Sequence, residues 1–242
     1  MRSPTRFDGQ GSGVRGQADH SYFLHTDTFL LNLFIFDLDG TLIDSALDLA
    51  LSVNATRRHM GMPELDHGTI NSYVGEGARV LLERAMGPGA PEETVSRALD
   101  FFLAFYRAHS LEHTKLYPGV REVIDELQAR GKSLAVLTNK PVRISLDILA
   151  ALGLGEKFFR VYGGNSFEQK KPDPIGVATL MGETYASNAE TMFVGDSAVD
   201  IRTARNAGVK ACGVTWGFHP DGMRAAQPDL IIDRKSELLA YA

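Results

Sequence analysis

Two aspartates, Asp37 and Asp39, stand two residues apart directly after the apolar run at residues 31–36. One carboxylate can act as a nucleophile, and a second can protonate a leaving group and later deprotonate water. Asp39 and Gly40 also form a common turn signal, so a purely structural interpretation of this segment stands beside the chemical one. Because the pair follows an apolar strand, we interpret it as a chemical centre.

Two further segments offer groups that could bind an anion. In residues 138–141 (TNKP), a helix that begins at the proline would present free backbone N–H groups, and the Thr138 hydroxyl would add a donor. Thr138 or Asn139 could equally serve only as a helix cap. In the second segment, Pro172 holds Lys171 extended and directs its ammonium ahead of the next helix. We therefore favour a phosphate contact for Lys171.

Two more carboxylates, Asp196 and Asp200, follow the apolar run TMFV. Ser197 and Asp200 have the spacing of a helix capping box, so Asp200 has a structural explanation that Asp196 lacks. Asp196 would join Asp37 and Asp39 at one crevice, where the three charges repel each other unless a cation intervenes. Hard divalent ions prefer carboxylate oxygens, so the sequence predicts a divalent metal site.

These groups together meet the demands of phosphate-monoester hydrolysis. The uncatalysed reaction is so slow that enzymes accelerate it by up to about 10²¹-fold, and several effects must combine to do so. Asp37 fits the nucleophile of a two-step reaction, and Asp39 fits its acid and base. Lys171, together with magnesium at Asp196, would neutralise the phosphoryl oxygens so that an anionic nucleophile can approach them.

The elements that would position these residues follow an alternating pattern. Short apolar runs alternate with segments of helical periodicity, which is typical of a parallel sheet with flanking helices. In an open parallel sheet, ligands bind beyond the carboxyl ends of the strands, where all four segments lie. We therefore expect a Rossmann-like, doubly wound α/β core. The predicted strands are residues 31–36, 133–138, 158–163, 191–195, 211–216 and 229–233.

The region between Asp44 and Tyr117 departs from this alternation, because its periodicity is helical only. We predict an inserted all-helical subdomain that lies over the end of the first strand. Residues 1–29 are polar and glycine-rich, and we expect a poorly ordered, dispensable arm. The predicted organisation is an arm at 1–29, a core at 30–44 and 118–242, and a helical insertion at 45–117.

Composition narrows the classes of partner. The chain has 242 residues and a net charge of −5, so it lacks the basic surface that nucleic-acid binding needs. No stretch is long and apolar enough to cross a membrane, which removes the membrane as an expected partner. The lone Cys212 excludes an internal disulfide and favours a cytoplasmic protein with this residue in the core. The sequence leaves both a monomer and a homodimer open.

From about residue 30 onward the chain resembles the haloacid dehalogenase superfamily, whose four motifs are present in order. The resemblance implies that Asp37 is the nucleophile and that Asp39 is the acid and base. It also implies that Thr138 and Lys171 bind the phosphoryl group, and we predict Asn139, which follows Thr138 in the segment TNKP, as a further phosphate-binding residue.

The resemblance implies a metal site and a cap as well. Magnesium would be held by Asp37, the backbone carbonyl of Asp39, and Asp196. Asp200 would orient Lys171 or a metal-bound water. The helical insertion resembles the C1 cap of the superfamily.

Within the superfamily, the hydrolytic dehalogenases lack the second aspartate and the metal, so Asp39 argues against that activity. The stretches DLDGTLIDS, YVGEGARVLLERAM, YPGV and VGDSAVDIRTARNAG look most like the bacterial phosphoglycolate phosphatases. That likeness implies a small anionic phosphate ester, 2-phosphoglycolate, as the substrate. The alternatives of the same fold are a sugar-phosphate phosphatase, a pyrophosphatase and β-phosphoglucomutase. A non-catalytic binding module is disfavoured because all four motifs are kept.

Residues of the insertion would decide among these substrates. Gly75 and Gly77 would let backbone N–H groups approach a small anion at a helix start. Arg79 or Arg84 could meet a carboxylate, or both could lie on a solvated helix surface. The sequence leaves these two interpretations of the arginines open.

Overall fold

A computed structural model describes residues 31–242, and the predicted arm at residues 1–29 lies outside the described region. The main sheet has six strands in the order β5-β4-β1-β6-β7-β8, and every neighbouring pair is parallel. The strands are β1 (Leu33–Phe36), β2 (Ile43–Asp44), β3 (Lys115–Leu116), β4 (Ser133–Leu137), β5 (Arg160–Tyr162), β6 (Thr191–Gly195), β7 (Lys210–Val214) and β8 (Leu230–Ile232). The expected parallel α/β sheet is therefore confirmed, and the six predicted runs each contain or overlap one of its strands.

Helices connect the strands and cover both faces of the sheet. The helices are α1 (Ala46–His59), α2 (His67–Ser72), α3 (Ala78–Met86), α4 (Glu92–His109), α5 (Val120–Ala129), α6 (Val142–Ala151), α7 (Ile175–Thr184), α8 (Ala198–Ala207) and α9 (Pro220–Ala225). Two 3₁₀ segments, Asn188–Glu190 and Lys235–Tyr241, complete the described regular structure.

Alternating side chains of β1 divide the core into two layers. Phe34 and Phe36 belong to one buried cluster with residues of α5 and α6. Leu33 and Ile35 belong to a second cluster with residues of α7 and α8. Because successive side chains of a strand point to opposite faces, a strand buried on both sides has no polar position. The continuous apolar run of β1 is thus explained by its central place in a doubly wound sheet.

The region between β2 and β3 contains four helices, α1 to α4, and none of its described residues forms a strand. β2 and β3 pair antiparallel, with Ile43 opposite Leu116, so the chain leaves and returns at adjacent points near the end of β1. The short pair β2–β3 and the helix α2 were not expected from the sequence. Both are too short for periodicity to reveal, although Asp66 caps α2 through a bond from the Thr69 N–H.

Two other features bear on expectations from the sequence. Cys212 is buried in β7, as predicted, and burial raises the pKa of its thiol to about 12. Among residues 31–242, none of the helices combines the length and the apolar character that a membrane span requires.

Candidate active site

The carboxyl ends of three adjacent strands bring the predicted residues together. Asp37 follows β1, Thr138 follows β4 and Asp196 follows β6, and β1 lies between β4 and β6 in the sheet. The Asp37 N–H donates to the carbonyl of Val194 at 2.9 Å, which continues the β1–β6 ladder by one residue. All three side chains are buried. The sheet therefore places the polar groups at one end of the central strand.

Lys171 lies between two carboxylates at the base of this site. Its Nζ is 2.9 Å from Asp37 Oδ1 and donates a hydrogen bond of 2.6 Å to Asp200 Oδ1. Burial alone would lower the pKa of Lys171, but the charges of Asp200 and Asp37 raise it overall. Lys171 therefore stays an ammonium ion beside Asp37.

The remaining bonds of Asp200 explain its fixed position. Its Oδ2 accepts hydrogen bonds from the backbone N–H of Ser197 at 3.0 Å and from the Ser197 hydroxyl at 2.6 Å. Asp200 thus forms the capping box through Oδ2 and the contact with Lys171 through Oδ1. The structural and the supporting interpretations of Asp200 are compatible.

Asp37 is a buried carboxylate whose pKa is shifted by its surroundings. Asp37 Oδ1 forms an ion pair with the ammonium of Lys171 at 2.9 Å. Burial, opposed by the Lys171 charge and reinforced by Asp200, raises the pKa of Asp37 to about 6. A buried carboxyl group with a pKa shifted by burial and by a specific charged partner is common at functional sites.

Asp37, Asp196 and Asp200 form a buried acidic cluster that could hold a metal ion. One carboxylate oxygen from each residue lies within 4.8 Å of the other two. Burial, with repulsion from Asp200 and Asp37, raises the pKa of Asp196 well above its usual range. A divalent cation would relieve both effects, and the all-oxygen donor set suits a hard ion. The residues present therefore fit a divalent metal site, although the cluster joins Asp37 and Asp196 with Asp200 and does not include the carboxylate of Asp39.

The backbone packs tightly around Asp196 and holds it in place. Asp196 Oδ2 accepts a hydrogen bond of 2.6 Å from the Phe218 N–H. Gly40, which has a φ of 80°, and Gly217 both lie so close to Asp196 that a Cβ at either would overlap its carboxylate. The glycines thus let two backbone segments approach the acidic cluster.

The side chain of Asp39 is directed away from the acidic cluster. It accepts hydrogen bonds from Lys140 Nζ, at 2.8 Å to Oδ1 and 3.1 Å to Oδ2, and from the Ser45 hydroxyl. Lys140 also donates to the Tyr106 hydroxyl of α4 at 2.6 Å. The sequence interpretation assigned no role to Lys140, Ser45 or Tyr106. Lys140 and Ser45 had a signal, since they belong to the segments TNKP and DLDGTLIDS, whereas Tyr106 had none.

The side chain of Asn139 makes structural contacts that use both its N–H groups. Its Nδ2 donates to the carbonyls of Gly75 at 3.0 Å and Lys171 at 3.1 Å, and its Oδ1 accepts from the Lys171 N–H at 3.0 Å. No side-chain N–H of Asn139 is left for a phosphate. The side chain of Asn139 therefore positions Lys171 and links the insertion to the core, and a phosphate contact of Asn139 through its backbone N–H stays a prediction.

A cavity of about 50 Å³ lies between the strand ends and the helical insertion. Its walls include Asp37, Asp39 and Thr138 from the strand ends, and Gly75 and Gly77 from the insertion. A volume of this size has room for about four water molecules, so it suits a small ligand. The expected position of both glycines beside the ligand space agrees with this arrangement.

The two arginines predicted as alternatives for substrate binding do not line this cavity. Arg79 pairs with Glu83 and Glu92, and Arg84 pairs with Glu76. The side chains of Arg79 and Arg84 are 41% and 38% exposed. The structure therefore supports the solvated-surface interpretation, because exposed acidic side chains satisfy both guanidinium groups outside the site.

Comparison with known proteins agrees with the site. Residues 34–214 match the family model described as haloacid dehalogenase-like hydrolase. The phosphoglycolate phosphatase of Vibrio vulnificus (strain CMCP6) is 38% identical over 218 residues, which are 86% of this chain and 95% of that protein. The phosphoglycolate phosphatase of Pseudomonas putida is 38% identical over 216 residues, 87% of this chain and 79% of that protein.

A solved structure extends the similarity to the tertiary level. The crystal structure described as a predicted phosphoglycolate phosphatase from Haemophilus somnus 129pt superimposes with a TM-score of 0.82. Its sequence is 33% identical, and the match covers 87% of this chain and 97% of that one. The similarity therefore extends over most of the chain.

Proposed function

The chain belongs to the haloacid dehalogenase-like hydrolase family and is a phosphoric monoester hydrolase of that family, and we propose that its substrate is 2-phosphoglycolate. The observation that carries the proposal is Asp37, a buried carboxylate that lines the cavity and whose Oδ1 oxygen forms an ion pair with Lys171. That oxygen lies 2.9 Å from the ammonium of Lys171. A nucleophile of this kind, beside a fixed cation, can attack an anionic phosphoryl group.

In the first step, Asp37 attacks the phosphorus atom and the bond from phosphorus to the ester oxygen breaks. Asp39 gives a proton to the departing oxygen, so the alcohol leaves neutral and Asp37 carries the phosphoryl group. Lys171 lies beside the attacking oxygen and balances the negative charge on the phosphoryl oxygens. Thr138, buried at the end of β4 and lining the cavity, is the proposed hydroxyl donor to one of these oxygens.

In the second step, Asp39 takes a proton from water as the water oxygen attacks phosphorus. The bond between phosphorus and the Asp37 oxygen breaks, which releases inorganic phosphate and restores the Asp37 carboxylate. The same group serves as acid and then as base, so its charge must return to the starting state in each cycle. Lys140 and Ser45 hold Asp39 at the cavity wall between these steps.

We propose that magnesium is the cofactor, held by Asp37, Asp196 and the backbone carbonyl of Asp39. When bound, it would neutralise the phosphoryl oxygens and the acidic cluster. Asp200 is a less suitable ligand, because Lys171 and Ser197 already occupy its two oxygens. Activity should be lost with a chelator and return with magnesium, whereas calcium should restore it poorly because its coordination is larger and looser.

The size and lining of the cavity support a small substrate. The cavity is small and largely enclosed by the insertion, which favours a two-carbon ester over the bulkier hexose phosphate unless the insertion moves away. The relatives from Vibrio and Pseudomonas are named phosphoglycolate phosphatases, which agrees with this size. We further propose that residues 45–117 act as a cap that closes over the substrate.

A panel of phosphate esters tests the substrate. With magnesium present, kcat/KM should be highest for 2-phosphoglycolate and clearly lower for glucose 6-phosphate and pyrophosphate. A higher kcat/KM for either of the other two would contradict the proposed substrate while leaving the phosphatase chemistry intact.

A further inference from the structure

The exposed residues Arg79 and Arg84 do not provide a cation for the carboxylate of the proposed substrate, because both lie outside the cavity. Among the described residues that line the cavity, Lys140 is the sole lysine or arginine. Its side chain is 4% exposed, so the ammonium faces the protein and the cavity rather than bulk solvent. Lys171, the other buried lysine, is engaged with Asp37 and Asp200 at the phosphoryl end of the site.

The position of Lys140 is defined by both parts of the structure. It lies between β4 and α6, and its Nζ contacts Asp39 at 2.8 Å. From the insertion, the Tyr106 hydroxyl accepts a hydrogen bond from the same Nζ at 2.6 Å. Burial of Tyr106 raises its pKa to about 12, although Lys140 opposes that shift, so the hydroxyl keeps its proton. The ammonium is thus held by a core carboxylate and a neutral phenol.

The structure of the leaving group explains how Lys140 can affect the choice of substrate. In 2-phosphoglycolate a single CH₂ group separates the ester oxygen from the carboxylate. Asp39 must come within hydrogen-bond reach of the ester oxygen to protonate it. A cation in contact with Asp39 therefore lies close to the carboxylate of the same leaving group.

We infer that Lys140 binds the carboxylate of the leaving group and so selects a carboxylate-bearing phosphate ester, an inference that rests on the proposed function. A charge-assisted hydrogen bond in a buried site discriminates against a neutral analogue, because that analogue cannot form the same bond with the ammonium. Tyr106 is a positioning residue in this arrangement, since it holds Lys140 from the insertion. Specificity is then set mainly by the core, at the residue that follows Asn139.

The test compares two phosphate esters that differ only in the group at the end of the leaving alcohol. These are 2-phosphoglycolate and 2-hydroxyethyl phosphate, in which a neutral hydroxymethyl group replaces the carboxylate. The variant Lys140→Met removes the charge with little change in length. The control Lys132→Met removes a positive charge just before β4, at the opposite end of that strand from the site. The readout is the ratio of kcat/KM for the two esters.

The wild-type enzyme should favour 2-phosphoglycolate, and Lys140→Met should lower the ratio by about 10- to 100-fold, as expected for a hydrogen bond to a charged group. Lys132→Met should leave the ratio unchanged. An equal loss on both esters in Lys140→Met would overturn the inference, since Lys140 would then act only through Asp39. If Lys140→Met does not fold, Lys140→Gln keeps a donor for Tyr106 and is judged by the same ratio.

The proposed function fails in a different way. Wild-type enzyme that hydrolyses both esters without preference for the carboxylate would contradict 2-phosphoglycolate as substrate, and with it the role of Lys140. Wild-type enzyme with a clear preference that Lys140→Met retains would contradict only the role of Lys140. The two failures are therefore distinguishable in one data set.

Discussion

Asp37 and Asp39 are close in sequence but differ sharply in environment. Asp37 is buried beside Lys171 and the acidic cluster, and its pKa is raised to about 6. Asp39 is partly exposed and bound by Lys140 and Ser45. Two carboxyl groups in such different surroundings are suited to different tasks, as a nucleophile and as an acid and base.

Separate substitutions should reveal this division. Asp37→Asn removes the nucleophile, so no phosphoenzyme should form and turnover should drop to background. Asp39→Asn keeps the nucleophile but removes the proton donor, so an alkyl phosphate should lose far more rate than an activated aryl phosphate. Rapid-quench measurement of the phosphorylation step on both substrates checks this. An equal slowing of the two by Asp39→Asn would show that Asp39 does not protonate the leaving group.

The raised pKa of Asp37 also predicts a pH dependence of stability. Because its folded pKa of about 6 exceeds the ordinary value of 3.8, the folded state holds the proton more tightly between these values. In metal-free protein, this group should therefore make the free energy of unfolding fall as pH rises from about 4 to about 6. Urea unfolding of wild type and Asp37→Asn across this range isolates the effect as their difference. Magnesium should reduce this pH dependence. If the free energy of unfolding of wild type rose relative to that of Asp37→Asn as pH increased, the assignment would be contradicted.

At the scale of elements, the site depends on loops that approach one another closely. Asp196 directly follows β6, and the loops that contain Gly40 and Gly217 pack against its side chain. Parallel strands bring their carboxyl ends to one edge, but the spacing of a metal site requires loops without side chains at the contact. These glycines therefore fix the position of Asp196, which is the proposed metal ligand.

Gly217→Ala should weaken metal binding and destabilise the protein. Its Cβ would overlap Asp196 and the Gly40 carbonyl, so either loop must shift. We expect a loss of about 1–3 kcal/mol in the free energy of unfolding, together with a higher magnesium concentration for half-maximal activity. The matched control is Gly182→Ala, because its Cβ would meet nothing within 4 Å and it lies in the helix α7. That control should be neutral or stabilise by up to about 1 kcal/mol.

At the scale of the molecule, the site is completed where the insertion meets the sheet. Asn139 donates to the Gly75 carbonyl at 3.0 Å, and His219 Nε2 lies 2.9 Å from the Val74 carbonyl. Together with the contact of Lys140 and Tyr106, these bonds link the insertion to the core around the cavity. A substrate enclosed there must enter and leave by breaking some of these contacts, which agrees with the proposed role of residues 45–117 as a cap.

The N-terminal arm offers a prediction for the whole chain. Leu31 is fully buried and its N–H donates to the Tyr241 carbonyl at 3.0 Å, so the packed structure includes the residues just before β1. Deleting residues 1–29 should leave kcat/KM and the melting temperature nearly unchanged, because that segment has no apolar periodicity to pack. Extending the deletion through Leu31 is the control and should lower the melting temperature. A large loss from the shorter deletion would show that the arm stabilises the core.

The alternation of apolar runs and helical segments determined the parallel sheet, since the period of the side chains reports the element directly. The order of the four polar segments then determined that Asp37, Lys171 and Asp196 would meet, because parallel strands end at one edge. The helices of the insertion were equally visible, apart from α2, which is shorter than the repeat that periodicity needs. These features depend on local sequence and on the general geometry of sheets.

The contacts of individual side chains depended on the tertiary structure. From the sequence, Arg79 and Arg84 were candidates for binding a carboxylate. In the structure both are exposed and pair with glutamates outside the cavity. Lys140 became a candidate only when Asp39 and Tyr106, which are far from it in sequence, surrounded its ammonium. Burial and the direction of a side chain result from packing between distant segments, and no local pattern encodes them. For this reason the sequence determined which polar groups meet at the strand ends, and the tertiary structure decided that Lys140, rather than Arg79 or Arg84, lines the cavity.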